Sequence, residues 1–226
     1  MTRKLSITLL AVAALAVGVF LLNGQSRAVD PVGIAFAQDA NSAADIDTSM
    51  IEDMTLGDPG ADVTVIEYAS FTCPHCANFH EGPFKQLKAD FIDTGKINFV
   101  YREVYFDRIG LWAAIVARCG EGAENRFFGI ADMMYQQQST WARQENPADI
   151  VESLRKIGKT AGLSDTELDQ CFSDGDTAQA MYARWQQQSE ADGITSTPSF
   201  IINGERHANM TYEEMKKLID DALGEG

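Results

Sequence analysis

Two cysteines two residues apart, in Cys73-Pro74-His75-Cys76, stand just after the apolar run 62–70, DVTVIEYAS. Thiols at this spacing can hold a metal, brace a fold or exchange electrons. A tetrahedral zinc site needs four ligands, usually supplied as two close pairs. The remaining cysteines, Cys119 and Cys171, are far from each other in sequence and have no histidine neighbour. A purely structural bridge within the tetrad closes so small a ring that it restrains the unfolded chain very little. Electron exchange fits better, because the pair follows a strand and opens a helix.

The chemistry of exchange depends on which sulfur ionises. Pro74 suits the first helical position, where its missing N–H has no intrahelical partner to lose. Cys73 is thereby placed at the amino end of a helix, facing unpaired backbone N–H groups and the positive end of the helix dipole. Both favour the thiolate, and His75 favours it further when protonated or donating a hydrogen bond. A stabilised thiolate is a good leaving group, and stabilising the reduced form makes the disulfide an acceptor of electrons. Cys76 lies one turn inside the helix, where its thiol can resolve a mixed disulfide formed on Cys73.

The elements that must position this pair are legible in outline. Residues 62–70 are short and rich in β-branched and aromatic types, as in a buried strand. From Cys73, Phe79, Phe84, Leu87 and Phe91 mark one helical face, with a kink expected at Gly82-Pro83 and an end at Gly95. Ile97 to Phe106 reads as a second strand, giving a βαβ unit with a parallel pair. From about 107 to 192 the pattern is helical throughout. Asn146-Pro147 starts one helix. Ser164-x-x-Glu167 is a capping box opening the helix that carries Cys171. Another helix runs from Thr177 to Asp192 and stops at Gly193. PSFII is then a strand, Asn203-Gly204 a hairpin turn, and Arg206 to Ala208 the return strand. A second capping box, Thr211-x-x-Glu214, opens the terminal helix. The simplest packing is an α/β fold with one sheet and the helical block inserted as a cap.

Composition bounds the setting. The chain opens MTRK and then runs from Leu5 to Leu22 without a charge, as a secretory leader does. Ala35-Phe36-Ala37 places cleavage after Ala37, and an uncleaved anchor is the alternative, since the apolar run approaches the length of a membrane span. Either way residues after 37 are expected outside the inner membrane, in the periplasm of a bacterium, where disulfides persist. Residues 38–55 read as a flexible lead-in and 56–226 as one domain. The net charge of −15 and the lack of a basic stripe argue against nucleic acid. In an oxidising compartment two leftover cysteines pair, so a structural Cys119–Cys171 disulfide is expected. A second redox-active pair is the competing idea. His80 and His207 read as surface residues.

The stretch ASFTCPHC after an apolar strand, with Thr197-Pro198 ahead of a later strand, resembles the DsbA-like thiol:disulfide oxidoreductases of the thioredoxin superfamily. The likeness runs from about Leu56 to Leu223 and takes in Leu56-Gly57-Asp58-Pro59, the Glu67 strand, the helical insertion and the closing hairpin and helix. It implies a thioredoxin-like fold with the insertion between a βαβ half and a ββα half. It implies that Cys73 attacks and Cys76 resolves, and that Thr197-Pro198 faces them with Pro198 in cis. The Thr197 backbone would then pair with an extended substrate. Read alone, Thr-Pro is an ordinary trans turn. Glu67 would be a buried acid shuttling a proton for Cys76, with Arg102 as a candidate to neutralise it; by strand alternation alone it could equally face solvent.

The activity implied is that of a protein dithiol:disulfide oxidoreductase. It would act as a monomer on unfolded exported proteins with reduced cysteines, be reoxidised by a quinone-linked membrane partner of the DsbB type, and need no organic cofactor or metal. Two rivals remain: a reductase or isomerase on the same fold, to which Thr197 lends some support, and a non-enzymatic chaperone-like binder.

Overall fold

The computed structural model describes Ala43 and residues 45–224. The leader expected over residues 1–37 lies outside them. Five strands form one sheet in the order β1-β3-β2-β4-β5. They are β1 (Met54–Gly57), β2 (Val63–Ala69), β3 (Ile97–Glu103), β4 (Ser199–Ile202) and β5 (Glu205–Ala208). β2 and β3 are parallel, from Val63 opposite Ile97 to Ala69 opposite Glu103, and the other pairings are antiparallel. β2 is therefore central, and its alternate residues face two different layers. Val63, Val65 and Ala69 join the main core, whereas Tyr68 packs with Val104 and Ile201 on the opposite face.

The helix after β2 is broken rather than kinked. α1 (Pro74–Glu81) ends at Gly82, and α2 (Pro83–Leu87) begins with Pro83 in its first turn. A π-helical turn, Lys88–Ile92, completes the crossover. Residues 107–192 are helical as expected. α3 (Arg108–Ala117), α4 (Ala123–Gln136) and α5 (Gln138–Trp141) are followed by α6 (Pro147–Thr160), α7 (Asp165–Ser173) and α8 (Gly175–Ala191). The cap on α6 is Asn146, whose side chain accepts the Ala148 N–H, and both capping boxes form. The hairpin turns at Asn203-Gly204, and α9 (Tyr212–Leu223) closes the chain. Among the described residues no helix is long and apolar enough to cross a membrane.

Two boundaries differ from the sequence reading. β3 stops at Glu103 instead of Phe106, because its neighbour β2 ends at Ala69. The last link is Val104 N–H to Ala69 O, 2.8 Å, after which the chain turns out and leaves Phe106 exposed. The last described residues of the expected flexible lead-in, 51–55, are packed instead. Ile51 and Met54 are buried, Asp53 bridges Arg102 and Arg184, and β1 pairs with β3. Gly57 makes that pairing possible: with φ +90°, any Cβ there would lie 2.2 Å from the Ile97 carbonyl oxygen.

Candidate active site

Cys73 is the N-cap of α1, with Pro74 in the first turn, so the helix begins where the three-residue loop after β2 has turned. Its N–H donates to Ser70 O at 3.1 Å, and its carbonyl accepts the first helical N–H, from Ala77. Cys73 is 8% exposed and Cys76 is fully buried; the two are unbonded thiols.

Their acidities are driven apart. The Cys73 thiol is lowered to about 5, chiefly because the Cys76 thiol donates to it. Burial opposes this, and the Thr197 side chain and the N–H groups of Cys76 and His75 reinforce it. The helix-start amides thus contribute as expected, but behind the neighbouring thiol. His75 acts through its backbone; its side chain is exposed, as is Pro74. The Cys76 thiol is pushed far up, first by burial, then by its bond to Cys73 and by the negative charge of Glu67.

The Thr197-Pro198 peptide is cis, and the Cys73 thiol donates to Thr197 O at 3.5 Å. β4 positions this loop: Ser199 sits opposite Tyr68, and its hydroxyl donates back to Ser196 O. The Thr197 hydroxyl is buried without a hydrogen-bond partner in this dithiol form, leaving it able to turn its proton toward a thiolate.

Glu67 is fully buried on β2, on the face that carries the cysteines. Arg102 does not neutralise it. Arg102 is level with Tyr68 in the sheet, so alternation sends its side chain to the other face, where it meets Asp53, Asp192 and the Tyr68 hydroxyl. The partner of Glu67 is His80, whose Nε2 lies 2.9 Å from Glu67 Oε2. His80 is 3% exposed, so its reading as a surface residue is corrected. The available signal was its spacing, four residues after Cys76 on the same helix. His207, on β5, is half-buried.

A second residue of the site was not singled out in the sequence. Gln138, buried at the start of α5, donates from Nε2 to Phe71 O (2.8 Å) and to Cys73 O (2.9 Å), fastening the inserted helices to the start of α1. A further tie runs from the Thr72 hydroxyl to Asp107, the cap of α3. Cys119 and Cys171 are bonded, S–S 2.10 Å, joining the end of α3 to α7. Among the described residues no group of three or more His, Cys, Asp or Glu is placed to hold a metal ion.

A family model described as thioredoxin matches residues 49–221. A Rickettsia typhi protein named as a protein-disulfide oxidoreductase is 36% identical over 171 residues, covering 76% of this chain and 62% of the relative. The chain thus spans about three fifths of the length of that rickettsial relative. Disulfide bond formation protein D of Bacillus subtilis is 26% identical over 198 residues, covering 82% of this chain and 84% of that one. Among solved structures, Wolbachia pipientis alpha-DsbA1 superposes with a TM-score of 0.69 at 28% identity, covering 76% of this chain and 92% of its own. By its matched span the chain belongs to the thioredoxin family, and its sheet order and relatives are similar to those of DsbA-like thiol:disulfide oxidoreductases.

Proposed function

We propose that this protein introduces disulfide bonds into exported proteins by donating the Cys73–Cys76 disulfide. A substrate thiolate attacks Cys73 Sγ, and Cys76 leaves and is protonated. The substrate's second thiolate then attacks the substrate sulfur of the mixed disulfide and releases Cys73 as a thiolate. The observation that carries this reading is the pair of opposed acidities: a Cys73 thiol lowered to about 5 beside a buried thiol held protonated. The stable thiolate favours the reduced protein, so the disulfide is passed on. The Thr197 backbone beside Cys73 supports an extended substrate segment pairing there. The uncharged run from Leu5 to Leu22, read as a leader or anchor, supports a periplasmic setting, and the family resemblance supports a monomer reoxidised by a quinone-linked membrane partner of the DsbB type.

Equilibration of the purified protein with glutathione redox buffers tests the direction of exchange. The expected potential is more oxidising than about −200 mV. A value near −270 mV, that of thioredoxin, would make the protein a reductase instead. Restoration of function in a deletion strain by Cys73→Ser would point to chaperone-like binding.

A further inference from the structure

The departing Cys76 needs a proton, which the family resemblance implies that Glu67 supplies; what governs that acid is not part of the resemblance. Its sulfur is fully buried, and a thiolate there would share an apolar site with Glu67. Next to it, Glu67 and His80 form a contact 2.9 Å long at 0% and 3% exposure, beyond easy reach of water. Only one Glu67 oxygen is engaged. Oε1 is buried and has no hydrogen-bond partner. A carboxylate left in that state needs a compensating positive charge or a proton of its own.

The walls around His80 suit a cation. Its ring stacks on Tyr135 at 4.3 Å and lies against Phe84 at 4.5 Å, with Phe79 edge-on at 5.6 Å. Aromatic faces attract a positive imidazolium. The other titratable groups facing the pair are Cys76 on α1, Tyr101 on β3 and Tyr135 on α4. The two phenols bond to each other at 2.6 Å, and burial keeps both protonated, so neither competes as a base.

Taking Glu67 as the acid that the family resemblance implies for Cys76, we propose that His80 is a further residue of this step and governs how readily Glu67 releases its proton when Cys76 leaves the disulfide. This rests on the exchange reading above. In the forward step the substrate sulfur bonds to Cys73 Sγ, the Cys73–Cys76 bond breaks, and its electron pair stays on Cys76. The proton passes to Cys76 from Glu67, which His80 recharges, and the pair stays one proton short while the protein is reduced. Reoxidation runs the transfer backward. His80 is thus a positioning residue that acts through Glu67.

The test follows reduction of the oxidised protein by glutathione between pH 5 and pH 9, corrected for the glutathione thiolate fraction. His80→Gln should slow reduction about tenfold at pH 6. The gap should narrow to within twofold at pH 9, where a proton is scarcer for both proteins. Adding His80→Gln to Glu67→Gln should cost no further rate. A His80→Gln rate within twofold of wild type at every pH overturns the proposal. Should that variant fail to fold, nitrogen resonances of the His80 ring in the wild type give an independent reading. They should move from the imidazolium toward the neutral pattern as the disulfide is reduced at pH 6, and an unchanged pattern overturns the proposal. Failure of the exchange reading looks different: wild type itself would not react with glutathione.

Discussion

At the scale of single residues, the chemistry turns on the difference between two sulfurs one helical turn apart. Cys73 gains its low pKa from donors: the Cys76 thiol first, then the Thr197 side chain and the amides at the start of α1. Cys76 is denied the charge by burial. This has a consequence for stability. In the unfolded reduced chain Cys73 ionises near pH 8.5, and in the folded chain near 5. A depressed folded pKa stabilises above the unfolded value, and that stabilisation is lost as pH falls through the folded one. The gain amounts to roughly 2–3 kcal/mol at pH 7. Urea unfolding should therefore show the reduced protein growing more stable relative to the oxidised protein from pH 5 to about 8.5. Parallel pH profiles for the two forms would show that no such thiolate is held. The placement of the cysteine pair at the head of α1 was legible in the sequence because Cys-x-x-Cys, Pro74 and the preceding strand are local signals. His80 was not, since its role comes from a partner on a different element, and histidine at a helix end reads equally well as a surface residue.

At the scale of elements, the inserted helices are part of the site's support. α5 is one turn long, yet its Gln138 supplies both donors to the carbonyls of Phe71 and Cys73. Gln138→Ala leaves the Phe71 and Cys73 carbonyls without this donor in a buried place and should destabilise the protein by about 1–3 kcal/mol. A thermal melt checks this: an unchanged Tm would mean that the insertion does not brace the start of α1. The helix starts were legible, because Asn146, Ser164 with Glu167, and Thr211 with Glu214 satisfy their own first-turn amides from within a few residues. Gln138 was hidden among Gln136, Gln137 and Gln138, three identical side chains that only tertiary packing tells apart. The π-helical turn at Lys88–Ile92 and the early end of β3 were hidden for a similar reason, as both depend on neighbouring elements.

At the scale of the whole molecule, segments distant in sequence converge on one sulfur. The βαβ half supplies the cysteines and Glu67, and the returning β4 brings Thr197 to Cys73. The insertion holds the loop between them through Gln138 and Asp107, and is itself tied by the Cys119–Cys171 bond. Asp53 anchors the segment before β1 to Arg102 and Arg184, on the sheet face away from Glu67. The one-sheet architecture with a helical cap could be read from the order of elements. The packed lead-in could not, because residues 43–53 are small and polar apart from a few apolar side chains such as Ile51. All of these restraints serve a thiolate at Cys73, and the most direct measurement is an ultraviolet titration of the reduced, folded protein with Cys73→Ala as the blank. The account predicts one thiolate appearing with a midpoint near pH 5. A midpoint near pH 8.5, the value of an ordinary cysteine, would contradict it.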